Sequence, residues 1–307
     1  LRSGARHADR LIFLGGVAFP TVVLAALLVA GLRLLPDWTE SPARLKVEVT
    51  GEQFWWRVAY RREDLADPVL SANEIHLPAG EPVEFLLGAR DVIHSFWIPS
   101  LAGKVDMIPG RETRLLVEEP EPGVYRGVCA EFCGTGHAQM ALQVVVHPPD
   151  AFERWLADRA RPLGAPPAAP ETGPPGPGSP VPGLFARRAP APAPQAAGDA
   201  SPTAPSPNDA PGDAAPDHGR TLFLDSGCGA CHRVAGVIDA GEVGPDLTHF
   251  ASRRSLAAGV AELSRDPLVA WLRDPQALKP GARMPAYGEA LSEAELAALA
   301  DWLLELR

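Results

Sequence analysis

The sequence predicts a multidomain chain: a transmembrane α-helix, then an all-β antiparallel sandwich or barrel, a disordered Pro/Ala-rich linker, and an all-α domain. Three observations predict this order. Residues Leu11 to Leu35 form an apolar run of 25 positions whose single charge is Arg33. Between Arg161 and Pro216 lie 17 of the chain's 34 prolines and hardly any large apolar side chain. On either side of that stretch the apolar pattern differs, with short β-rich segments before it and helical spacing after it. The expected boundaries are 1–36 for the cytoplasmic N-terminus and membrane helix, 37–160 for the β domain, 161–216 for the linker and 217–307 for the last domain. Both folded parts have an ordinary domain size.

The formal charge of −10 divides as +3, −8, −1 and −4 over those four segments. No segment carries a basic patch, so nucleic-acid binding is excluded as a leading function. The 4 cysteines, Cys129, Cys133, Cys228 and Cys231, fall in two close pairs. That is too few for a disulfide scaffold and points to two separate local sites.

At about 1.5 Å per residue the apolar run crosses a hydrocarbon core of ~30 Å with some tilt. Pro20, which would kink a helix in water, is tolerated in a spanning segment. Arg2, Arg6 and Arg10 precede the run, whereas Asp37 and Glu40 follow it, with Trp38 at the expected interface. The positive-inside rule then puts the N-terminus in the cytoplasm and everything beyond residue 36 outside. A cleaved signal peptide would need a shorter apolar core and a small-residue cleavage site, and neither is present.

In the β domain the expected strands are Leu45–Thr50, Gln53–Tyr60, Pro82–Gly88, Thr113–Glu118, Gly123–Cys129 and Met140–His147. Pro/Gly signals such as Pro78-Ala79-Gly80 and Pro109-Gly110 separate many of them. A short helix, Asp150 to Arg159, closes the domain with Asp150 as its expected N-cap. The chemistry lies in Cys129-Ala130-Glu131-Phe132-Cys133-Gly134-Thr135-Gly136-His137-Ala138-Gln139-Met140. Taken alone, the thiol pair fits either a disulfide in an oxidising compartment or a soft-metal site. His137 and Met140 at fixed offsets, and a further His94 in Asp91-Val92-Ile93-His94-Ser95-Phe96-Trp97, argue for metal. Thiolate, imidazole and a weak thioether together are typical of copper electron-transfer sites.

These segments resemble subunit II of the haem–copper respiratory oxidases, which carries a dinuclear copper centre, CuA, on a cupredoxin-like Greek-key sandwich. The resemblance implies that Cys129 and Cys133 bridge two copper ions and that His94 and His137 bind one each. Met140 and the backbone carbonyl of Glu131 would be weak ligands. It also implies a Mg²⁺ or Mn²⁺ held by the Glu131 side chain at the interface with subunit I. Many relatives have tryptophan at the position of Phe54 in Gly51-Glu52-Gln53-Phe54-Trp55-Trp56, where electrons from soluble cytochrome c arrive, so phenylalanine puts that route in question. Trp55 and Trp56 read as core packing and lipid-side anchoring. Asp91 and Asp106 match family positions, and Asp106 reads as a solvated loop carboxylate.

The 56 residues from Arg161 to Pro216 have too few apolar side chains to offset ordering entropy. A coil of that length spans roughly 40–45 Å, which would keep the last domain close to the β domain.

In that last domain, Cys228-Gly229-Ala230-Cys231-His232 is the attachment signature of a c-type haem. Both thiols would form thioethers and His232 would bind the iron. A helix from Asp217 to Ser226 precedes the signature, as in class I cytochromes c, and Gly244-Pro245-Asp246-Leu247 follows it. The Pro245 carbonyl is expected to accept from the other nitrogen of His232, fixing the ring. Met284, 52 residues after His232, is the expected sixth ligand, with His249 its nearby rival. Asp266-Pro267 is expected to start a helix with proline at the first position. Ser292 and Glu295 form a capping box for a closing helix whose Leu296, Leu299, Leu303 and Leu306 recur on one face beside Trp302. His7, His76, His147 and His218 show no partner pattern and read as ordinary surface or loop residues.

As a whole the chain is similar to subunit II of the cytochrome-c-fused, "caa" type of cytochrome c oxidase. The resemblance implies a complex with subunit I and also subunit III, with cytochrome c or a quinol:cytochrome c reductase as donor. It implies placement in the cell inner membrane among lipid, in one or two passes, with the metal domains on the periplasmic side. Family members usually carry two N-terminal membrane helices. The one here matches the second, the chain begins with Leu, and whether a first lies upstream stays open. Two other classes stay open: the CuA subunit of a nitric oxide reductase, and a stand-alone membrane-anchored electron carrier.

Overall fold

A computed structural model describes residues 2–34, 43–161 and 216–307. The expected linker, apart from its two ends, and Asp37, Trp38 and Glu40 lie outside the described residues. The chain forms two compact units, Leu1–Pro42 and Ala43–Arg307.

The first unit is helical: α1 (Arg2–Phe13), a π-helical turn (Leu14–Ala18) and α2 (Phe19–Arg33). The stretch His7–Arg33, 27 residues, is long and apolar enough to cross a membrane, and Leu11, Leu24, Leu27 and Leu28 are exposed along it. The π turn sits just before Pro20, and the Phe19 N–H donates to the Leu14 carbonyl. Widening the helix there gives room to a proline ring that would otherwise strike the carbonyl four residues earlier.

The second unit begins with ten strands: β1 (Leu45–Glu52), β2 (Trp55–Arg61), β3 (Val69–Ala72), β4 (Glu74–Pro78), β5 (Val83–Ala89), β6 (His94–Trp97), β7 (Val105–Met107), β8 (Thr113–Val117), β9 (Gly123–Cys129) and β10 (Ala141–His147). They form two five-stranded sheets, ordered β3-β2-β1-β5-β8 and β4-β10-β9-β6-β7. Period-two alternation builds the sandwich. In β1, Leu45, Val47 and Val49 are buried while Lys46 points out, and Val58, Tyr60, Phe85, Leu87 and Phe96 meet them in the core.

The sandwich is not purely antiparallel, as the turn signals suggested. β1 pairs with β5 in parallel, and so does β4 with β10. Each parallel partner is reached by a connection through other strands, since a parallel neighbour cannot be joined by a tight turn. Six of the ten strands match expected segments. The other four, β3, β4, β6 and β7, have 3 to 5 residues each and carry polar groups such as Glu74, His76, His94 and Asp106, so no apolar run marks them.

Helix α3 (Pro149–Arg159) closes the sandwich by burying Phe152 and Leu156. Its N-cap is Pro148, and Asp150 falls inside the first turn. There its carboxylate still favours the positive end of the helix dipole.

The helical part comprises α4 (Pro216–Asp225), α5 (Arg265–Arg273), α6 (Pro275–Leu278) and α7 (Glu293–Leu303). It also holds a two-residue ribbon, β11 (Ser255–Leu256) with β12 (Ala261–Glu262), so it is not wholly α. Helix α5 starts at Arg265 after Ser264, placing Pro267 third rather than first. That position is harmless because first-turn N–H groups have no intrahelical acceptor. The capping box forms: Ser292 Oγ accepts from the Glu295 N–H, and the Glu295 carboxylate accepts from the Ser292 N–H. It sets α7 so that Leu296, Leu299, Trp302 and Leu303 are buried, with Leu306 just beyond the helix.

Candidate metal centres

At the sulfur site, β9 ends on Cys129, and the loop returns through the short helical turn His137–Gln139 to Met140 and β10. Strand β6 lies beside β9 with Phe96 opposite Cys129, and Ala130 N–H donates to Ser95 O, which brings His94 over the loop. All six expected donors converge. The Cys129 and Cys133 sulfurs are 3.9 Å apart and unbonded, so the disulfide alternative is not the one present. His94 Nδ1 is 3.8 Å from Cys129 Sγ, and His137 Nδ1 is 3.6 Å from Cys133 Sγ. Met140 Sδ is 3.9 Å from Cys133 Sγ, and the Glu131 carbonyl is 3.2 Å from Cys129 Sγ. The Glu131 side chain itself is exposed.

Electrostatics asks for a cation here. Cys129 is drawn well below the usual thiol range, chiefly by its hydrogen bond with Cys133, and Cys133 is pushed up for the same reason. Unaided, the pair thus holds one negative charge rather than two. A soft cation between the sulfurs would let both ionise. The donor set of two thiols, two imidazoles, a thioether and a carbonyl fits copper.

The sequence did not reveal what holds His94. Asp91 Oδ1 accepts from His94 Nε2 at 2.9 Å, while the N–H groups of Gln53 and Val92 also bond its carboxylate, at 2.7 and 2.8 Å. Burial raises the Asp91 pKa, but those hydrogen bonds outweigh it and keep the group below the usual carboxylate range. A carboxylate on the far nitrogen fixes the tautomer and leaves Nδ1 free toward the sulfurs.

In the helical domain, Cys228, Cys231, His232, Pro245 and Met284 all line one cavity of about 470 Å³. His232 Nδ1 lies 2.8 Å from the Pro245 carbonyl. A carbonyl can only accept, so the proton is on Nδ1 and Nε2 keeps its lone pair. Burial lowers the His232 pKa, favouring that neutral form. Gly244 lets the chain pass against the ring, since a Cβ there would lie 2.5 Å from His232 Cε1. Trp271 Nε1–H donates to Met284 Sδ at 3.1 Å, a partner no sequence signal announced. Two free thiols, an imidazole lone pair and a thioether around one largely apolar cavity fit a c-type haem. His249, the rival, does not line the cavity; its Nε2 lies 3.1 Å from the Arg159 carbonyl.

Two readings need correction. His76 and His147 are not ordinary loop residues: His76 Nδ1 is 2.7 Å from His147 Nε2, and His76 Nε2 is 2.9 Å from Glu74 Oε1. His76 also stacks on Trp155. Trp56 is core, packed edge-on to Phe96, but Trp55 lines the haem-domain cavity under the Arg57 guanidinium instead of anchoring to lipid. Phe54, where many relatives carry tryptophan, is buried at 6 % exposure. Asp106, His7 and His218 are exposed.

Fold and sites together define, in chain order, an apolar helix, a cupredoxin-like β-sandwich and a cytochrome c domain. Family profiles match accordingly: "Cytochrome C oxidase subunit II, periplasmic domain" over residues 45–147 and "Cytochrome c" over residues 216–307. Cytochrome c oxidase subunit 2 of Alkalihalophilus pseudofirmus is 32% identical over 290 residues, covering 93% of this chain and 69% of that protein. The subunit 2 of Bacillus sp. strain PS3 is 27% identical, covering 97% of this chain and 72% of its own. The solved periplasmic domain of subunit II from Bradyrhizobium japonicum is 26% identical, with a TM-score of 0.36, over 41% of this chain and 96% of that one. The chain belongs to the cytochrome c oxidase subunit 2 family, with a fused cytochrome c domain. It is a subunit of an oxidoreductase complex, and membership implies copper, haem and a subunit I partner. The apolar helix and the family fit a membrane-anchored protein whose domains lie outside the cell.

Proposed function

We propose that this chain receives electrons for a haem–copper cytochrome c oxidase. The observation that carries the reading is the meeting of six donors around an unbonded thiol pair 3.9 Å apart. Cys129 and Cys133 would bridge two coppers, with His94 on one, His137 on the other, and Met140 and the Glu131 carbonyl as weak ligands. Cys228 and Cys231 would hold the haem covalently, with His232 and Met284 on its iron and Pro245 orienting the imidazole. When bound, the two groups supply reversible one-electron transfer, from a donor cytochrome c or quinol:cytochrome c reductase toward haem a and the oxygen site of subunit I.

The residues serve that chemistry by holding still. Strands β6, β9 and β10 fix the sulfur loop through backbone hydrogen bonds, and Asp91 fixes His94, so ligands need not move when charge changes. The exposed Glu131 carboxylate is the group offered to Mg²⁺ or Mn²⁺ at the subunit I boundary. The helix His7–Arg33 would anchor the chain in the cell inner membrane, beside subunits I and III and lipid.

The test is metal and haem analysis of the full chain in detergent, with electron paramagnetic resonance. Two coppers per haem sharing one unpaired electron is the expected result. A chain that carries haem but no copper, with Cys129 and Cys133 oxidised to each other, would overturn the reading. Co-purification of a partner with haem and copper supports oxidase; a partner with haem and non-haem iron would move the assignment to a nitric oxide reductase.

A further inference from the structure

Two loops meet where the helical domain touches the sandwich. One runs from Cys133 to Gln139 and carries sulfur-site donors. The other is Lys279-Pro280-Gly281-Ala282-Arg283-Met284. Lys279 is only 3 % exposed, and its Nζ donates to the Phe54 carbonyl at 2.6 Å and to the Ala257 carbonyl at 2.9 Å. Arg283 Nη2 donates to Gln53 Oε1 at 2.8 Å and lies 3.8 Å from Asp91 Oδ2. Gln53 is a hub: its Nε2 donates to the Cys133 carbonyl at 2.6 Å, and its N–H donates to Asp91. From the other side, Gln139 Nε2 donates to the Leu278 carbonyl at 2.9 Å.

The Phe54 ring fills the space between these loops. A Cβ on Gly281 would lie 2.9 Å from that ring and 3.2 Å from Thr135 Cβ, while one on Gly136 would lie 2.4 Å from the ring. Glycine at both places lets the two loops close on Phe54. The contact is therefore shaped as well as charged, and both cations of the Met284 loop are spent on one turn, Gln53-Phe54.

We propose that Lys279 and Arg283 are positioning residues that latch the Met284 loop onto the Gln53-Phe54 turn and so hold the haem domain on the sulfur loop. The functional weight of this latch rests on the reading that Cys133 and Met284 belong to the two redox centres; the latch itself is a contact between side chains of one chain. Nζ donates to two carbonyls as an ammonium or as an amine, so the latch does not depend on the titration of Lys279. It also explains why Phe54 is shut away: the chain's own loop occupies the approach to it.

The experiment uses the full chain in detergent, loaded with haem and copper, as Lys279→Met, Arg283→Gln and the double variant. Radical footprinting reads exposure of the Phe54 ring. The double variant should label Phe54 roughly tenfold faster, as expected when a charged hydrogen bond is lost from a docked state. Haem bands and copper resonance should stay as in the parent, haem-to-copper electron transfer should slow, and Arg283→Lys should restore part of the protection. Unchanged labelling in Arg283→Gln and in the double variant would overturn the latch. Should Lys279→Met not fold, Arg283→Gln decides alone, because its side chain is 68 % exposed and holds no core. A parent chain lacking copper would defeat the functional reading, while Phe54 labelling would still judge the latch.

Discussion

The two centres are built in different ways. At the sulfur site the donors are already gathered, at 3.2 to 3.9 Å from one another along the chain of contacts, and backbone ladders of β6, β9 and β10 hold them. At the other site the donors ring an open cavity of about 470 Å³, and the Met284 sulfur is held by Trp271. A sandwich can preform a small ligand set because strand register fixes both ends of the loop that carries it. A helical domain of 92 residues cannot fill such a space with its own side chains, so it depends on its prosthetic group for a core.

The largest effects should therefore fall on the helical side. Replacing both Cys228 and Cys231 with alanine should abolish covalent haem, read as loss of haem stain on a denaturing gel, and should leave the domain without its filling. Copper resonance should persist, because no sulfur-site donor comes from that domain. Loss of both signals together would break the comparison.

Next come the two methionines, which test each centre separately. If Met284 is the sixth ligand as proposed, Met284→Ala should change the ferric haem spectrum with the copper signal intact. Met140→Leu should alter the copper resonance with the haem bands intact. An unchanged ferric spectrum in Met284→Ala would mean that the sulfur near Trp271 is not the axial group.

Acid should weaken the sandwich through a cluster outside both centres. Burial, followed by the nearby His76, draws His147 from about 6.5 to about 4. The unfolded chain thus binds a proton that the folded chain refuses between those values, and stability falls as pH falls through that window. Glu74 adds to it with the same sign. Burial raises its pKa, but hydrogen bonds from His76 and the Arg254 N–H more than offset this, so its stabilising charge is lost on acidification. After discounting the partial exposure of His147, the loss should be on the order of 2 kcal/mol. Thermal melts from pH 7 to 4 should show it, and His147→Gln should flatten the slope. A slope unchanged in that variant would assign the acid effect elsewhere.

This cluster also marks where sequence reasoning stops. The sulfur loop was legible because five of its six donors lie within 12 consecutive residues, at spacings that soft-metal chemistry recognises. The haem signature was legible for the same local reason. His76 and His147 are 71 residues apart and meet only because β4 pairs with β10 in parallel, with His76 opposite Val145. That register is a tertiary result. Likewise Gln53 and Trp271 act through partners 13 to 80 residues away, and nothing in their neighbours' types announces the contact. The four missed strands have the same cause: β4 is buried at all five positions yet carries Glu74 and His76, whose polarity is answered inside the fold.

The smallest effect concerns the closing helix and sharpens the contrast between a domain fixed by its ladders and one fixed by its helices. Ser292→Ala removes the acceptor for the Glu295 N–H at 3.3 Å and the hydroxyl that donates to the Glu295 carboxylate at 2.7 Å. Losing an N-cap of this kind costs about 1 kcal/mol. Because α7 buries Leu296, Leu299, Trp302 and Leu303 against the rest of the helical domain, that cost should appear in full in the unfolding of this domain. The sandwich, whose core shares none of those side chains, should melt as before. Calorimetry of the full chain tests it: a lowered haem-domain transition beside an unmoved sandwich transition is expected. A shift of both by the same amount would mean that the contacts through Lys279, Arg283 and Gln139 couple the two domains into one cooperative unit.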